Sequence, residues 1–256
     1  MKILFALLAF NLLLINQAFG KQLYGFSNLS INYLDWSKRT EEVSKTGVGR
    51  KFDFIYIEVE AGAGFDWGDI YGFVDMENPG KPVTSTPSNN RVAIKGSVAY
   101  NLGESNFNLY SHIFTLNEKG FSDQNRVLGF SYDYNTGFGL WIKPFLGFHN
   151  QTDVGSNGYM AGWVFGHDFQ IGSHRFSIAN WHEFEFERDK DYQGFYGVTN
   201  DYVPTNGRSY GHNGAASIWY HPTKQFTVGL QYRYADRKLG TPHYQDAMIS
   251  SVKFNF

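Results

Sequence analysis

The chain ends in the stretch Ser251-Val252-Lys253-Phe254-Asn255-Phe256, in which apolar and polar residues alternate up to the last aromatic residue. An alternation of period two indicates a β-strand whose two faces meet different surroundings. In a soluble protein the apolar face needs a covering core, whereas in a transmembrane β-barrel that face meets lipid directly. The end of the chain therefore indicates a strand of a transmembrane barrel.

The beginning of the chain has the features of a secretory signal. A charged start at Lys2 is followed by an apolar run over residues 3–15 and by the small residues around Gly20. The run is shorter than the ~17 residues that a membrane-spanning helix needs, which favours a cleaved signal peptide. We expect residues 1–20 to be a cleaved signal peptide and residues 21–256 to form a single outer-membrane β-barrel domain.

The composition fits a barrel with a wet interior and excludes several classes of partner. The net charge is −2, and the chain has no basic arm, so no nucleic acid polymer is expected as a partner. There is no cysteine, so an exported domain must be held together without disulfides. Aromatic residues make up 18% of the chain although the mean hydropathy is polar, at −0.37. Aromatic girdles around a polar lumen combine these two properties.

Behind the signal, the sequence shows alternating segments and no helical period of useful length. These segments predict twelve strands, an even number typical of bacterial barrels. The predicted strands lie near residues 27–37, 50–64, 67–77, 90–101, 106–117, 124–135, 139–150, 157–170, 173–187, 208–221, 225–236 and 243–256.

The connections between these segments alternate between two lengths. Short links of two to four residues, such as Ile171-Gly172 and Pro222-Thr223-Lys224, follow every second strand. The other links are longer and polar: residues 38–49, 78–89, 118–123, 151–156, 188–207 and 237–242. Short periplasmic turns and longer extracellular loops are the asymmetry expected of an outer-membrane barrel. The predicted fold is therefore all-β: a closed antiparallel transmembrane β-barrel of about 12 strands, located in the bacterial outer membrane.

The strand faces follow from the alternation. In the eleventh segment Val228, Leu230 and Tyr232 share one face, whereas Gln231 and Arg233 lie on the other. A Lys or Arg on the lipid face costs ~2–4 kcal/mol at the bilayer midplane, so the charged face must point inward. The lumen is therefore predicted to be polar and also to contain aromatic side chains.

The second and third segments form a hairpin that reads YIEVEAGAGFDWGDIYGFVD over residues 56–75. This hairpin resembles the Tsx family of nucleoside-specific channel-forming outer-membrane proteins, including OmpK-like proteins. In that family a strand with alternating glutamates leads through a tight turn into a strand with aspartate, tyrosine, glycine and aspartate. The resemblance implies a monomeric channel for passive, selective diffusion of nucleosides and deoxynucleosides. It implies neither catalysis nor a cofactor.

Such a channel needs aromatic faces for the base and polar groups for the ribose. Weak serial sites suit it better than one tight site, because conduction requires release as well as entry. Inward-facing residues of these strands supply both kinds of group, and no catalytic or metal-binding residues are predicted. The pore-lining candidates are Phe52, Phe54, Tyr56, Glu58, Glu60, Asp69, Tyr71, Phe73, Asp75, Arg91, Lys95 and Lys143.

Several alternatives remain open at the level of sequence. The loop after Asp75 differs from the lysine- and phenylalanine-rich stretch expected in the best-known nucleoside channels, so another small-solute specificity is possible. The protein could be mainly a phage or colicin receptor, through extracellular loop 188–207 with Tyr192, Phe195, Tyr196 and Tyr202. An outer-membrane enzyme could use Ser173-His174, Ser209 with His212, or Ser217 with His221, although none forms a known motif. Other expected partners are outer-membrane lipid and, through Phe256, the outer-membrane assembly machinery.

Overall fold

The computed structural model describes residues 20–45, 50–83, 89–152, 155–189, 194–196, 202–204, 208–241 and 243–256. The predicted signal peptide lies outside these residues, apart from Gly20.

Antiparallel strands make up almost all of the described structure. Twelve long strands form the barrel: β1 (Gln22–Trp36), β2 (Phe54–Phe65), β3 (Gly68–Glu77), β4 (Arg91–Asn101), β5 (Phe107–Glu118), β6 (Phe121–Tyr132), β8 (Leu140–Gln151), β9 (Gly155–Ile171), β10 (His174–Phe186), β13 (Gly211–His221), β14 (Phe226–Asp236) and β15 (Tyr244–Asn255). Three short strands complete the set: β7 (Tyr134–Asn135), β11 (Gly194–Tyr196) and β12 (Tyr202–Pro204).

The sheet closes on itself in two places. The first and last strands pair, with Ile31 opposite Val252, and β6 pairs with β8, with Gly129 opposite Gly147. Closure leaves no unpaired edge, which a barrel in lipid requires. The predicted closed antiparallel barrel of twelve strands is therefore confirmed, with β7 as an extra short strand beside β8.

The barrel needs close backbone approach where β6 meets β8. A Cβ atom on Gly129 would overlap the backbone oxygen of Leu146, and one on Gly147 would lie 2.7 Å from the backbone oxygen of Leu128. Glycine at these facing positions therefore lets the two strands pair at this spacing.

The differences from the predicted segments lie in the strand ends and in the longer loops. Strand β1 begins at Gln22, five residues before the predicted start, and β2 begins at Phe54, four residues after it. The loop after β1 contains a helix that the sequence did not reveal, α1 (Lys38–Val43). Six residues are too few to establish a helical period, and the helix depends on capping, because Ser37 Oγ accepts a hydrogen bond from Thr40 N at 3.2 Å. No helix in the described ranges is long and apolar enough to cross a membrane.

The two faces of the strands meet different surroundings, as predicted. Large apolar side chains are strongly exposed on the outer face, for example Phe148 at 67%, Ile31 at 60% and Leu128 at 57%. Residues of the opposite face are largely buried, and many of them are polar, for example Asn32, His112 and Asn213. An apolar outer surface of this kind is stable against lipid rather than water. The functional groups therefore lie inside the barrel.

Candidate functional site

An ion pair crosses the lumen in its extracellular half. Lys95 Nζ of β4 lies 2.6 Å from Glu183 Oε1 of β10. These strands are far apart in the sheet, because β5, β6, β8 and β9 separate them along the shorter way around the barrel. Asn213 Nδ2 donates a hydrogen bond of 3.2 Å to the other carboxylate oxygen of Glu183. The two side chains therefore meet across the lumen, with Lys95 extending from one wall and Glu183 from the other.

A second ion pair crosses the lumen nearer the periplasmic end. Lys143 Nζ of β8 contacts the carboxylate of Asp69, near the start of β3, and also lies 3.2 Å from Asp133 Oδ1. Strands β4, β5 and β6 separate β8 from β3. A solute that passes along the lumen must therefore move past two transverse pairs at two different depths.

A hydrogen-bond network around Glu60 lines one wall between these levels. Its carboxylate lies 3.0 Å from Lys253 Nζ and accepts hydrogen bonds from Tyr71 Oη at 2.8 Å and from Asn28 Nδ2 at 2.9 Å. The Lys253 ammonium also lies 4.3 Å from the centre of the Trp219 ring, a cation–π contact. The wall therefore presents carboxylate, hydroxyl and amide groups beside an aromatic ring.

Two apolar patches interrupt this polar lining. The first apolar patch consists of buried side chains near the extracellular ends of β1, β2 and β15, namely Leu34, Phe54, Ala247 and Ile249, with Trp36 and Tyr56 packed against them. The second apolar patch lies on β5, β6, β8 and β9 and consists of Val127, Phe145 and Met160 with Tyr110. Four strands separate β1 from β6, so the two patches belong to opposite parts of the wall. Both patches contain aromatic rings.

The extracellular mouth is narrowed by a loop that folds inward. The mouth loop, residues 237–241, follows β14, and the backbone N–H of Leu239 donates a hydrogen bond of 3.0 Å to Glu185 Oε2. Glu185 also contacts the guanidinium of Arg188, and both side chains are almost completely buried. The loop thereby brings Lys238 Nζ to 5.4 Å from the Phe114 ring of β5. Five strands separate β14 from β5 in either direction, so the mouth loop reaches the opposite wall.

The comparison with known families agrees with this architecture. The family model described as nucleoside-specific channel-forming protein, Tsx, matches residues 31–256, which include all the barrel strands except the first part of β1. The chain belongs to the Tsx family. It is therefore an outer-membrane β-barrel with a channel role.

Solved structures also include barrels similar to this Tsx-family chain. An outer-membrane channel from Pseudomonas putida F1 is 10% identical, with 94% of this chain and 98% of that chain covered and a TM-score of 0.45. The outer-membrane channel DcaP of Acinetobacter baumannii is also 10% identical, with 91% and 96% covered and a TM-score of 0.40. At such low similarity the description of the barrel rests on its own strand pairing.

The structure places eleven of the twelve pore-lining candidates of this Tsx-family barrel on the inward face of its strands. Eight of these inward residues lie on the β2–β3 hairpin, and Arg91, Lys95 and Lys143 lie on β4 and β8. The exception is Phe52, which precedes β2. The guanidinium carbon of Arg50 lies 4.5 Å from the centre of the Phe52 ring. Phe54 is 8% exposed and is covered by Arg91, whose guanidinium carbon lies 5.6 Å from its ring centre.

Sequence reasoning missed the partners on the opposite walls and the residues of the mouth. Glu183 is not among the pore-lining candidates, whereas it forms the transverse pair with Lys95. Lys253, Trp219 and Lys238 were not considered as pore residues. Period-two alternation marks Lys253 and Trp219 as inward, so this signal could have found both of them.

The structure describes the contacts of Ser217 and His221, one of the candidate enzymatic pairs, but it describes little of the candidate receptor loop. Ser217 Oγ donates a hydrogen bond of 3.3 Å to Ala179 O, whereas His221 Nε2 lies 2.9 Å from Ser177 Oγ. Ser217 and His221 therefore use other partners than the predicted ones. Loop 188–207 lies mostly outside the described residues, apart from residues 188–189 and the pairing of β11 with β12.

Proposed function

We propose that the chain mediates passive, selective diffusion of nucleosides and deoxynucleosides through the lumen. The observation that supports this proposal is the pair of aromatic-containing apolar patches on opposite parts of the wall, with charged and hydroxyl groups between them. A nucleoside has a matching composition, because its base offers a π-face for stacking and its ribose offers hydroxyl groups for hydrogen bonds. The family assignment supports the same class of solute.

The candidates divide into stacking groups and ribose partners. Tyr56 borders the first apolar patch, and Tyr71 and Phe73 form an edge-to-face pair with ring centres 6.4 Å apart. These rings are the proposed stacking surfaces. The carboxylates and cations are proposed to bind ribose hydroxyls: Glu58, Glu60, Asp69, Asp75, Arg91, Lys95 and Lys143.

The paired state of the lumen charges is compatible with a neutral solute. Glu60 is balanced by Lys253 at 3.0 Å, and Glu183 is balanced by Lys95 at 2.6 Å. A compensated pair presents little net field along the pore, yet its remaining lone pairs and N–H groups can accept or donate hydrogen bonds. Such sites bind weakly, which permits both entry and exit. We infer that a single chain forms the pore, because the barrel closes through its own β1–β15 pairing.

Transport into liposomes tests the proposal. The refolded protein is reconstituted, and uptake of labelled adenosine and thymidine is compared with uptake of a sugar of similar size and of a free amino acid. Nucleoside uptake is expected to be faster and saturable. The Phe54→Ala plus Tyr56→Ala variant should lose this advantage while the sugar still enters.

A matched variant controls for the loss of two aromatic side chains. Phe130→Ala plus Phe148→Ala removes two rings from the outer face, where they are 58% and 67% exposed, and should leave nucleoside selectivity unchanged. Equal uptake of all four solutes by the original protein, or equal losses in the two variants, would refute stacking in the lumen as the basis of selectivity.

A further inference from the structure

A cavity of about 420 Å³ lies at the periplasmic end of the barrel, beside the short turn between β9 and β10. Its lining residues are Asp168, Phe169 and Gln170 of β9, Arg175 and Phe176 of β10, and His221 of β13. None of them belongs to the transverse pairs or to the two apolar patches. The volume falls within the range of roughly 300–1,000 Å³ that is typical of small-molecule sites. The cavity therefore has the size of a ligand site that the lumen described above does not include.

The register of the strands brings the polar residues of this cavity together. Arg175 lies directly between Gln170 and His221, its register partners on β9 and β13. Ser177, two residues further along β10, is the register partner of Asp168. Side chains of register partners are about 5 Å apart at Cβ and diagonal neighbours about 7–8 Å, so one small ligand can reach both Asp168 and Arg175. These positions are in phase with the inward residues higher on the same strands, so the group faces the lumen.

The two charged groups of the cavity are not paired with each other or with a third group. Within the part of the chain that the structure describes, neither the Asp168 carboxylate nor the Arg175 guanidinium has an oppositely charged group within ion-pair distance. Both side chains are exposed. The lumen charges Lys95 and Glu183, in contrast, bind each other at 2.6 Å. The carboxylate and the guanidinium at the periplasmic end are therefore available to a solute.

A chain of hydrogen bonds fixes the side of the cavity that His221 forms. His221 Nε2 lies 2.9 Å from Ser177 Oγ, and His221 Nδ1 lies 2.9 Å from Thr227 Oγ1. Thr227 Oγ1 also accepts a hydrogen bond of 3.1 Å from Asn255 Nδ2. Both ring nitrogens of His221 thus have partners within the protein, so the imidazole forms a fixed wall. Asp168 and Arg175 remain as the charged groups that can bind a ligand.

Two tryptophans flank these polar groups on neighbouring strands. Trp219 of β13 is the register partner of Ser177, and it donates a hydrogen bond of 2.9 Å through Nε1 to Ser217 Oγ. On the other side, Trp141 of β8 is the register partner of Gly166, two residues from Asp168. The Trp141 ring lies against the Gly166 backbone, where an added Cβ would be 2.6 Å from the ring. An indole therefore lies on each side of the unpaired carboxylate and guanidinium.

We propose that Asp168 and Arg175 form a binding site for the vicinal diol of a sugar ring at the periplasmic end of the pore, with Trp141 and Trp219 placed to contact an attached base. A carboxylate accepts hydrogen bonds from two neighbouring hydroxyls, one on each oxygen, and a guanidinium donates to hydroxyl oxygens. An anion is repelled by Asp168 and a cation by Arg175, so the combination favours a neutral solute. Gln170, the register partner of Arg175, adds an amide that both donates and accepts.

The contact with a base rests on the proposed nucleoside channel, whereas recognition of the diol does not, because a free sugar carries the same pair of hydroxyls. The site implies that this end of the pore distinguishes ribonucleosides from deoxynucleosides. A deoxyribose lacks one of the two hydroxyls, so one carboxylate oxygen would lose its hydrogen bond.

The block of ion current through the refolded protein in planar bilayers tests the site. Adenosine, 2′-deoxyadenosine, 3′-deoxyadenosine and methyl ribofuranoside are each added to both compartments. Adenosine should block half of the current at a concentration about fivefold or more below that of either deoxy form, because a hydrogen bond to a charged group is lost in both of them. The two deoxy forms should block at similar concentrations, since each retains one hydroxyl of the pair.

Two double variants with the same change in charge separate the site from a general effect at this end of the barrel. Asp168→Ala plus Arg175→Ala should abolish the preference for adenosine over its deoxy forms. Glu104→Ala plus Lys224→Ala removes one acid and one base from exposed positions in two other short turns and should preserve it. Where the first double variant does not fold, Asp168→Asn alone, which keeps the shape of the side chain, should reduce the preference.

The outcomes separate the diol site from the nucleoside channel. Equal block by adenosine and its two deoxy forms, a preference that survives in the first double variant, or no block by any solute would overturn the site. Saturable block by all three nucleosides at one concentration would overturn the site and leave the channel proposal standing. Block by methyl ribofuranoside that equals the block by adenosine and depends on Asp168 would support the site, assign recognition to the diol alone and contradict selection by the base.

Discussion

The transverse Lys95–Glu183 pair should stabilise the barrel and limit its conductance. At a separation of 2.6 Å and an effective dielectric constant of about 20, the attraction between the two charges is about 6 kcal/mol. The loss of hydration on enclosing both charges offsets part of this, because the side chains are only 20% and 10% exposed. We expect a net coupling free energy of about 2–3 kcal/mol between the two side chains.

A double-mutant cycle measures this coupling. Glu183→Ala leaves the Lys95 ammonium without its carboxylate and should lower the free energy of unfolding by about 3 kcal/mol. Lys95→Ala should cost about 2 kcal/mol, because Asn213 still donates a hydrogen bond to Glu183. The double variant should cost about 2–3 kcal/mol rather than the sum of the two single costs. Denaturant titration of the protein folded into lipid vesicles measures each value.

The same variants test whether the pair obstructs the pore. The double alanine variant removes two side chains that meet across the lumen, so its single-channel conductance in KCl should exceed that of the original protein. Arg91→Ala plus Glu77→Ala is the matched control, because this pair joins register partners on adjacent strands and does not cross the lumen. The reasoning would be refuted by additive stabilities, or by a conductance that rises equally in the control.

Three further predictions concern the wall, the mouth and the closure of the barrel. Tyr71→Phe removes the 2.8 Å hydrogen bond to Glu60 and should lower the free energy of unfolding by about 1–2 kcal/mol in a denaturant titration; no loss would mean that the bond contributes nothing. Anion selectivity in bilayers should fall as the pH rises through about 8, because Lys51 loses its charge there, and this transition should be absent in Lys51→Gln. Gly129→Ala should sharply reduce the folded fraction seen by heat-modifiable electrophoresis, whereas Gly96→Ala, with no atom within 4 Å of its new Cβ, should fold normally.

The strands and their faces could be predicted because both depend on local sequence. Alternation of period two identified twelve strands and placed Lys95 and Lys143 inside, since charge on the lipid face is costly. Their partners could not be predicted in the same way. Glu183 is 88 residues from Lys95, and Asp69 is 74 residues from Lys143. Which inward residues meet across the lumen depends on the order and register of the closed sheet, and no local pattern encodes these.

A long link over residues 237–242 could be predicted from the sequence, but its path into the lumen could not, for a different reason. Arg237 and Leu239 both adopt left-handed backbone angles, with φ of 55° and 49°, without glycine at either position. Such conformations are uncommon for residues with a side chain, so no local pattern marks these two positions. The loop is stabilised instead by Glu185 and Arg188, which lie on and just beyond β10. A contact with another part of the chain therefore determines where Lys238 lies.

The distribution of charge implies that the entrance and the middle of the pore discriminate by different properties. Deeper in the lumen, Lys95 is paired with Glu183 at 2.6 Å, and Lys253 is shared by Glu60 at 3.0 Å and Glu58 at 3.9 Å. Among neutral solutes, discrimination at this depth must come from shape, stacking and hydrogen bonds. At the entrance, none of Lys51, Arg233 and Lys238 has a carboxylate within ion-pair distance among the residues that the structure describes, so discrimination there depends on the charge of the solute. Substitutions at the entrance should therefore change ion selectivity with little effect on the preference among neutral solutes, and substitutions of the aromatic wall should do the reverse.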